Sequence, residues 1–171
     1  MGDFAACVDF TLGMEGGYGA DPDDPGNWTG GVVGQGLLRG TNFGISAASY
    51  PTLDIAHLTR EAAEAIYQRD YWSKINGNQL AGPMAPVVFD ASVNNGLRRA
   101  IMWLQQAVDV AADGVIGPET LAAMGNADPK TAATTMLTLR LEFMVALADW
   151  PRFAGGWGRR LVALAFFAAG Q

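Results

Sequence analysis

The chain of 171 residues is half apolar, carries one cysteine and one histidine, and has a formal net charge of −6. That composition excludes intrinsic disorder, an internal disulfide framework and a basic nucleic-acid footprint, and the length suits one compact domain with a real core. Residues 1–90 hold 4 basic and 11 acidic side chains while residues 91–171 hold 7 and 6, so long-range charge does not steer the chain toward an anionic polymer and recognition falls to a shaped groove.

Residues 1–14 lack the basic start and apolar run of a signal peptide. The apolar run Leu161 to Ala169 is shorter than the ~20 residues a bilayer span needs. The expectation is a monomer made in the cytoplasm without a signal peptide or stable membrane insertion.

In chain order, Asp3 to Glu15 reads as a helix. Phe4, Val8, Leu12 and Glu15 follow at spacings of four, four and three, which puts them on one face. Cys7 falls on the apolar side as a buried thiol. Gly16 and Gly17 suit the left-handed turn that ends a helix. Residues 16–44 contain ten glycines, and a loop of that length in a compact domain is usually functional. Within it, Val32-Val33 and Leu37-Leu38 are expected to pair as a short hairpin.

Thr59 caps a second helix from Arg60 to Trp72, with Glu61 in its first turn and Ala63, Ile66, Tyr67 and Tyr71 facing inward. Pro86 opens a third helix to about Asn94, and Gly96 breaks it. A fourth runs from Leu97 to Val108 with Leu97, Ile101, Leu104 and Val108 on one stripe. Gly117-Pro118 starts a fifth, and Asp128-Pro129 starts a sixth that reaches about Asp149, with Pro151 just beyond. A last helix covers Trp157 to Ala168, its apolar side set against Met136, Leu139, Phe143 and Leu147. The fold class is therefore mainly α, interrupted by one long Gly-rich loop that has room for a short β-hairpin.

Several chemistries fail on residue supply. A zinc hydrolase needs several His, Cys or acidic ligands, and His57 is the lone histidine. A cysteine peptidase would have to join Cys7 to His57. The stretch Asp21-x-Asp23-x-Pro25-Gly26 resembles a calcium loop only briefly, because Pro25 and Val32 occupy ligand positions. No metal and no cofactor are expected. Carboxylate chemistry remains. Glu15 ends an apolar stripe, and a carboxyl partly removed from water has its pKa raised, as a general acid near neutral pH requires. The plain alternative is a helix-end carboxylate in an ordinary ion pair. Glycosidases pair such an acid with a second carboxylate; Asp21, Asp23 and Asp24 follow closely, with Asp24 preferred, although Asp-Pro steps also simply build turns.

These residues resemble the glycoside hydrolase family 108 muramidases, found as phage endolysins and secretion-linked cell-wall enzymes. Glu15-Gly16-Gly17-Tyr18, Asp21-Pro22-x-Asp24-Pro25-Gly26 and Phe43-Gly44-Ile45-Ser46 carry the likeness. Tyr71-Trp72 and Asp90 through Val93-Asn94-Asn95-Gly96 continue it. Leu104-Gln105, Asp113-Gly114-Val115-Ile116-Gly117-Pro118 and Thr120-Leu121 resemble a C-terminal peptidoglycan-binding-like region. The resemblance implies a lysozyme-like helical fold and hydrolysis of the β-1,4 bond between N-acetylmuramic acid and N-acetylglucosamine in peptidoglycan, in the setting of phage lysis of a host. Glu15 becomes the catalytic acid. A looser likeness to phage lysozymes that use Glu, Asp and Thr assigns Asp24 and Thr41, although Thr41 lies further along than that pattern expects. Tyr18, Asp21, Trp28, Tyr71, Trp72, Asn94 and Asn95 are the candidates for substrate contact; the aromatic ones serve core packing equally well, and Asn94 and Asn95 serve to cap a helix.

The implied organisation is a catalytic region at residues 1–90 and a wall-binding region at 91–171, packed together, since no flexible linker separates residues 85–100. Lytic transglycosylation of the same bond, and non-catalytic wall binding or secretion assistance, are the rival readings.

Overall fold

Helix α1 spans Phe4–Met14, where its apolar phase predicts it. Asp3 Oδ1 accepts the Ala6 N–H at 3.2 Å and caps it. Cys7, Val8 and Leu12 are buried. Burial, aided by the nearby Asp3 carboxylate, pushes the Cys7 thiol up to about 12. It stays protonated near neutral pH and is no nucleophile. The computed structural model describes residues 2–14 and 16–171; Glu15 lies outside the described residues. Among those residues are seven α-helices and one two-stranded antiparallel hairpin, a mainly α fold. The chain forms two compact units, one of Met1–Cys7 with Gln68–Gln171, the other of Val8–Tyr67.

In the unit of residues 8–67, strands β1 (Thr41–Asn42) and β2 (Ile45–Ser46) pair across the two-residue turn Phe43-Gly44. Both turn residues have positive φ, +51° and +73°, the primed geometry that matches strand twist. For a phenylalanine this costs about 1–2 kcal/mol, and the Tyr67 hydroxyl holds it by donating to the Phe43 carbonyl at 2.8 Å. The hairpin expected from Val32-Val33 and Leu37-Leu38 does not form. Thr29 and Gly30 instead donate to Leu37 and Gln35, and Val32 accepts from Gln35 at the tip. Gly31, Gly34 and Gly36 all take positive φ, which curls the segment through tight turns and leaves Val32, Val33 and Leu37 exposed. Helix α2 (Arg60–Tyr67) is capped by Thr59 Oγ1, which accepts the Ala62 N–H, and buries Ala63, Ile66 and Tyr67.

In the other unit the helical run continues as a π-helix, Gln68–Trp72. The Ser73 N–H and hydroxyl both donate to the Gln68 carbonyl, at 2.9 and 2.7 Å, which widens this last turn. Helix α3 (Met84–Asn95) begins two residues before Pro86, because proline is tolerated anywhere in a first turn that lacks amide acceptors. Every residue from Met84 to Ser92 is buried, so α3 is the central helix. Gly96, at φ +91°, turns the chain into α4 (Leu97–Ala107). Helices α4, α6 (Pro129–Val145) and α7 (Trp150–Ala169) pack around α3. Phe4, Trp72 and Phe89 interlock at ring-centroid distances of 5.5–6.0 Å.

Two further boundaries, at α6 and α7, differ from expectation. Helix α6 ends at Val145, and Pro151 opens α7 in its first turn where it was expected only to follow α6. Gly155, Gly156 and Gly158 therefore sit inside a helix, at about 1 kcal/mol each, a cost that the buried Leu161, Leu164 and Ala168 offset through packing. Val162 and Phe166 face solvent, at 58 % and 79 % exposure.

Helix α5 (Pro118–Asn126) follows a turn organised by Gln105. This buried amide donates to Asp113 Oδ1 at 2.7 Å, Val115 O at 3.0 Å and Thr120 Oγ1 at 3.2 Å, and accepts the Gly114 N–H at 2.8 Å. The Gln105 and Val115 donors hold the Asp113 carboxyl below its ordinary range. A depressed folded value contributes stability above the unfolded pKa of about 4 and loses it as pH falls through the folded value. Asp113→Asn is therefore expected to lower the melting temperature at pH 7 and to flatten its decline below about pH 4. Parallel melting curves from pH 7 to 2 for the two proteins would refute this assignment.

Candidate functional site

The acidic loop after α1 is built on turns. Asp21 Oδ1 accepts the Asp23 N–H at 3.0 Å, and Asp24 Oδ1 accepts the Gly26 N–H at 2.8 Å, capping a short 3-10 turn over Pro25–Asn27. Asp21, Asp23 and Asp24 are all exposed. The next residue, Asn27, is 3 % exposed and ties the loop down. Its Nδ2 donates to the Asp21 carbonyl at 3.0 Å, and its own carbonyl accepts from Arg39 N and Gly40 N at 2.9 and 3.0 Å. Its Oδ1 accepts the Thr41 hydroxyl at 2.7 Å.

The structure thus joins the Asp21 backbone carbonyl and the Thr41 hydroxyl through one buried side-chain amide, while Asp24 meets Asn27 only through the backbone, its carbonyl accepting the Asn27 N–H at 3.1 Å. The Thr41 proton is committed to Asn27, which leaves its oxygen free to accept from a water. Thr41 is further fixed by a double backbone pair with Gly19, 2.9 and 2.8 Å. Gly40 permits that approach: at φ +80°, a Cβ there would fall on the Gly19 carbonyl and 2.8 Å from the Tyr18 ring. Tyr18 itself is 49 % exposed. It lines a pocket of about 340 Å³ with Arg39, Thr52, Asp54 and Ile55. The His57 ring nitrogen 3.0 Å from Asp54 holds that carboxyl below its ordinary range. Trp28 is half-buried, and its indole N–H donates to the Pro22 carbonyl at 2.9 Å, presenting the ring beside the acidic loop.

The remaining candidates lie in the other unit. Trp72 is 2 % exposed, with Phe4 and Phe89 on its ring and Nε1 donating to Asn78 at 2.8 Å, so in this structure it packs the core. Tyr71 is half-buried. Asn94 is exposed, but its Oδ1 accepts from Arg140 Nη2 at 3.0 Å, a latch between α3 and α6. Asn95 lines an open cleft described below. Asn27 and Gly40 were not singled out in the sequence. A buried asparagine inside an aperiodic loop carries no periodic signal; its position directly after Asp24-Pro25-Gly26 is the only hint.

A mainly helical scaffold with a small hairpin and an acidic loop after the first helix is a lysozyme-like fold. The chain belongs to the glycosyl hydrolase 108 family, whose profile matches residues 8–96, and residues 99–162 match a predicted peptidoglycan domain. Among solved structures, SagA of Brucella abortus is similar, at 29 % identity and a TM-score of 0.81, covering 98 % of this chain and 94 % of that one. Among curated proteins no match is found. Peptidoglycan is accordingly the ligand, and breakdown of cell-wall glycan the reaction class.

Asp24→Asn separates chemistry from turn-building. Asparagine caps the same turn. If the carboxylate orients water or stabilises an oxocarbenium-like transition state, kcat is expected to fall more than tenfold with little change in binding. A kcat within about threefold of wild type would leave Asp24 as a turn residue only.

Proposed function

We propose that the chain is an N-acetylmuramidase that hydrolyses the β-1,4 bond between N-acetylmuramic acid and N-acetylglucosamine. The family match over residues 8–96 carries this reading. In it Glu15 protonates the departing glycosidic oxygen, a role that its sequence phase with Phe4, Val8 and Leu12 suits. Asp24 and Thr41 orient the attacking water, Thr41 through an oxygen whose proton Asn27 already holds. Tyr18 and Trp28 offer ring faces to the sugars, and Asp21 a hydrogen-bond acceptor. Bond cleavage belongs to residues 1–90, retention on the wall to residues 91–171. The biological setting we infer is that of a phage endolysin reaching the wall after the host membrane is breached.

Mass analysis of products from purified peptidoglycan tests the bond and the reaction together. A reducing N-acetylmuramic acid end is expected. A reducing N-acetylglucosamine end would assign the other glycosidic bond, and a 1,6-anhydro end would assign lytic transglycosylation.

A further inference from the structure

A cleft of about 610 Å³ opens where α3 turns into α4, walled by Asn95, Arg98, Arg99, Met102, Trp103 and Gln106. A smaller hollow of about 380 Å³ shares Asn95 and Arg99 with it and runs on to Phe143 and Trp157. The volume lies within the range of small-ligand sites.

Two guanidinium groups face this cleft, and each is held by something other than a carboxylate. Arg99 lies over the Phe143 ring, 4.1 Å from its centroid, and reaches one backbone carbonyl, Asn95 O, at 3.4 Å. Phe143 is itself fixed edge-on by Trp103, with centroids 5.6 Å apart. Arg98 donates to the Asp113 carbonyl at 3.2 Å, not to the Asp113 carboxylate, which Gln105 and Val115 occupy. The side chain of Arg98 crosses the turn at Gly114, where φ is +79° and a Cβ would stand 2.8 Å from Arg98 Cγ. The Asp113-Gly114 turn and its Gln105 anchor thus position Arg98 at the cleft wall. No ion pair to either arginine forms among the described residues, in a protein of net charge −6. Five donors per guanidinium in a planar fork match a carboxylate, and most of them are unspent here. Met102 and Trp103 supply an apolar surface beside the charge.

We propose that this cleft is a carboxylate clamp for the peptide stem of peptidoglycan, with Arg98 and Arg99 taking the terminal carboxylate and Met102 and Trp103 receiving the adjoining alkyl side chain. The proposal rests on the reading that residues 99–162 engage peptidoglycan. The glycan backbone alone does not explain it: neutral acetamido sugars have no use for two guanidinium groups, neither of which is in contact with a carboxylate among the described residues, although the Arg98 charge does act on the nearby Asp113 carboxylate. The only carboxylate the glycan offers is the lactyl group, which the stem peptide normally masks as an amide.

Calorimetric titration of the whole protein with three probes decides the matter: a free stem tetrapeptide, the same peptide amidated at its C-terminus, and glycan stripped of peptide, which bears free lactyl carboxylates. The tetrapeptide is expected to bind, the amidated peptide at least about tenfold more weakly, and Arg99→Gln and Arg98→Gln each to weaken tetrapeptide binding about tenfold or more with unchanged melting. Arg99→Lys, which keeps the charge but not the fork, is expected to fall between. Equal binding of the amidated peptide, no tetrapeptide binding, or full affinity in a folded Arg99→Gln variant overturns the proposal. So does sensitivity of the stripped glycan, in place of the tetrapeptide, to Arg99→Gln, which would assign the clamp to the lactyl group. Hydrolysis is not read in this experiment, so a failed clamp and a failed muramidase reading remain separate results.

Discussion

Replacing Glu15 with glutamine is expected to lower lysis of purified peptidoglycan by about two or more orders of magnitude, the scale of general acid catalysis. Glutamine keeps the size and polarity of the side chain but has no proton to give the departing sugar oxygen. The spacing of Phe4, Val8, Leu12 and Glu15 in the sequence puts Glu15 in phase with Val8 and Leu12, which are buried. Glutamine and glutamate differ little in volume, so the fold is expected to survive the change. The melting temperature should therefore hold while turbidity clearance stops. A folded Glu15→Gln protein with near-normal clearance would remove Glu15 from the mechanism and with it the muramidase reading. Wall binding with no clearance by the wild-type protein would favour a non-catalytic role.

The largest stability effect is expected far from that chemistry, at Asp90. This aspartate is fully buried on the central helix α3. It accepts from Arg140 Nη1 at 2.6 Å and from Arg160 Nη2 at 2.7 Å and Nε at 3.0 Å. Arg140 is equally buried; burial pulls its pKa down and the Asp90 carboxylate opposes that pull. Two cations from α6 and α7 converge on one anion from α3, so the triad ties three helices at one point. Such a cluster is weak evidence of net stabilisation, but breaking it is costly because a buried charge is left without its partner.

Asp90→Asn keeps the shape and removes the carboxylate charge that both guanidinium groups share. A loss of about 3–5 kcal/mol is expected, which for a chain of this length lowers the melting temperature by roughly 6–20 °C. Arg140→Met should cost less, because Arg160 still holds both oxygens of Asp90 and methionine follows the arginine stem without a charge. A melting point within about 2 °C of wild type for Asp90→Asn would show that the triad adds nothing. For the same reason, a chain ending at Asp90 loses Arg140 and Arg160 together and is expected to aggregate.

The local order of the chain was legible in the sequence by itself wherever one residue decides its own backbone. Asp128-Pro129 opens α6, with Asp128 accepting from Thr131 as a cap. Gly117-Pro118 opens α5 and Thr59 caps α2. The 3.6-residue phase of Phe4, Val8 and Leu12 marked α1 and its inward face, because burial of a stripe is a local pattern. The ordered motifs from Glu15 to Leu121 carried the family.

What the tertiary structure decided depends on partners distant in sequence. Three glycines remain helical in α7 only because Leu161 and Leu164 are packed, and Pro151 could close one helix or open the next until that packing chose. The Val32 to Leu38 segment has strand composition, yet three glycines with positive φ turn it back on itself. Asn27 reads as one more polar loop residue until it is found buried, holding Asp21 and Thr41 together across 20 positions of sequence. Trp72 and Asn94 have the chemistry of sugar contacts, but Phe89 and Arg140 reach them first. Asp90 sits in a run of apolar residues whose periodicity says only that it is buried. Which charges meet it there is set by α6 and α7, 50 and 70 residues away, and no local rule encodes a contact across that separation.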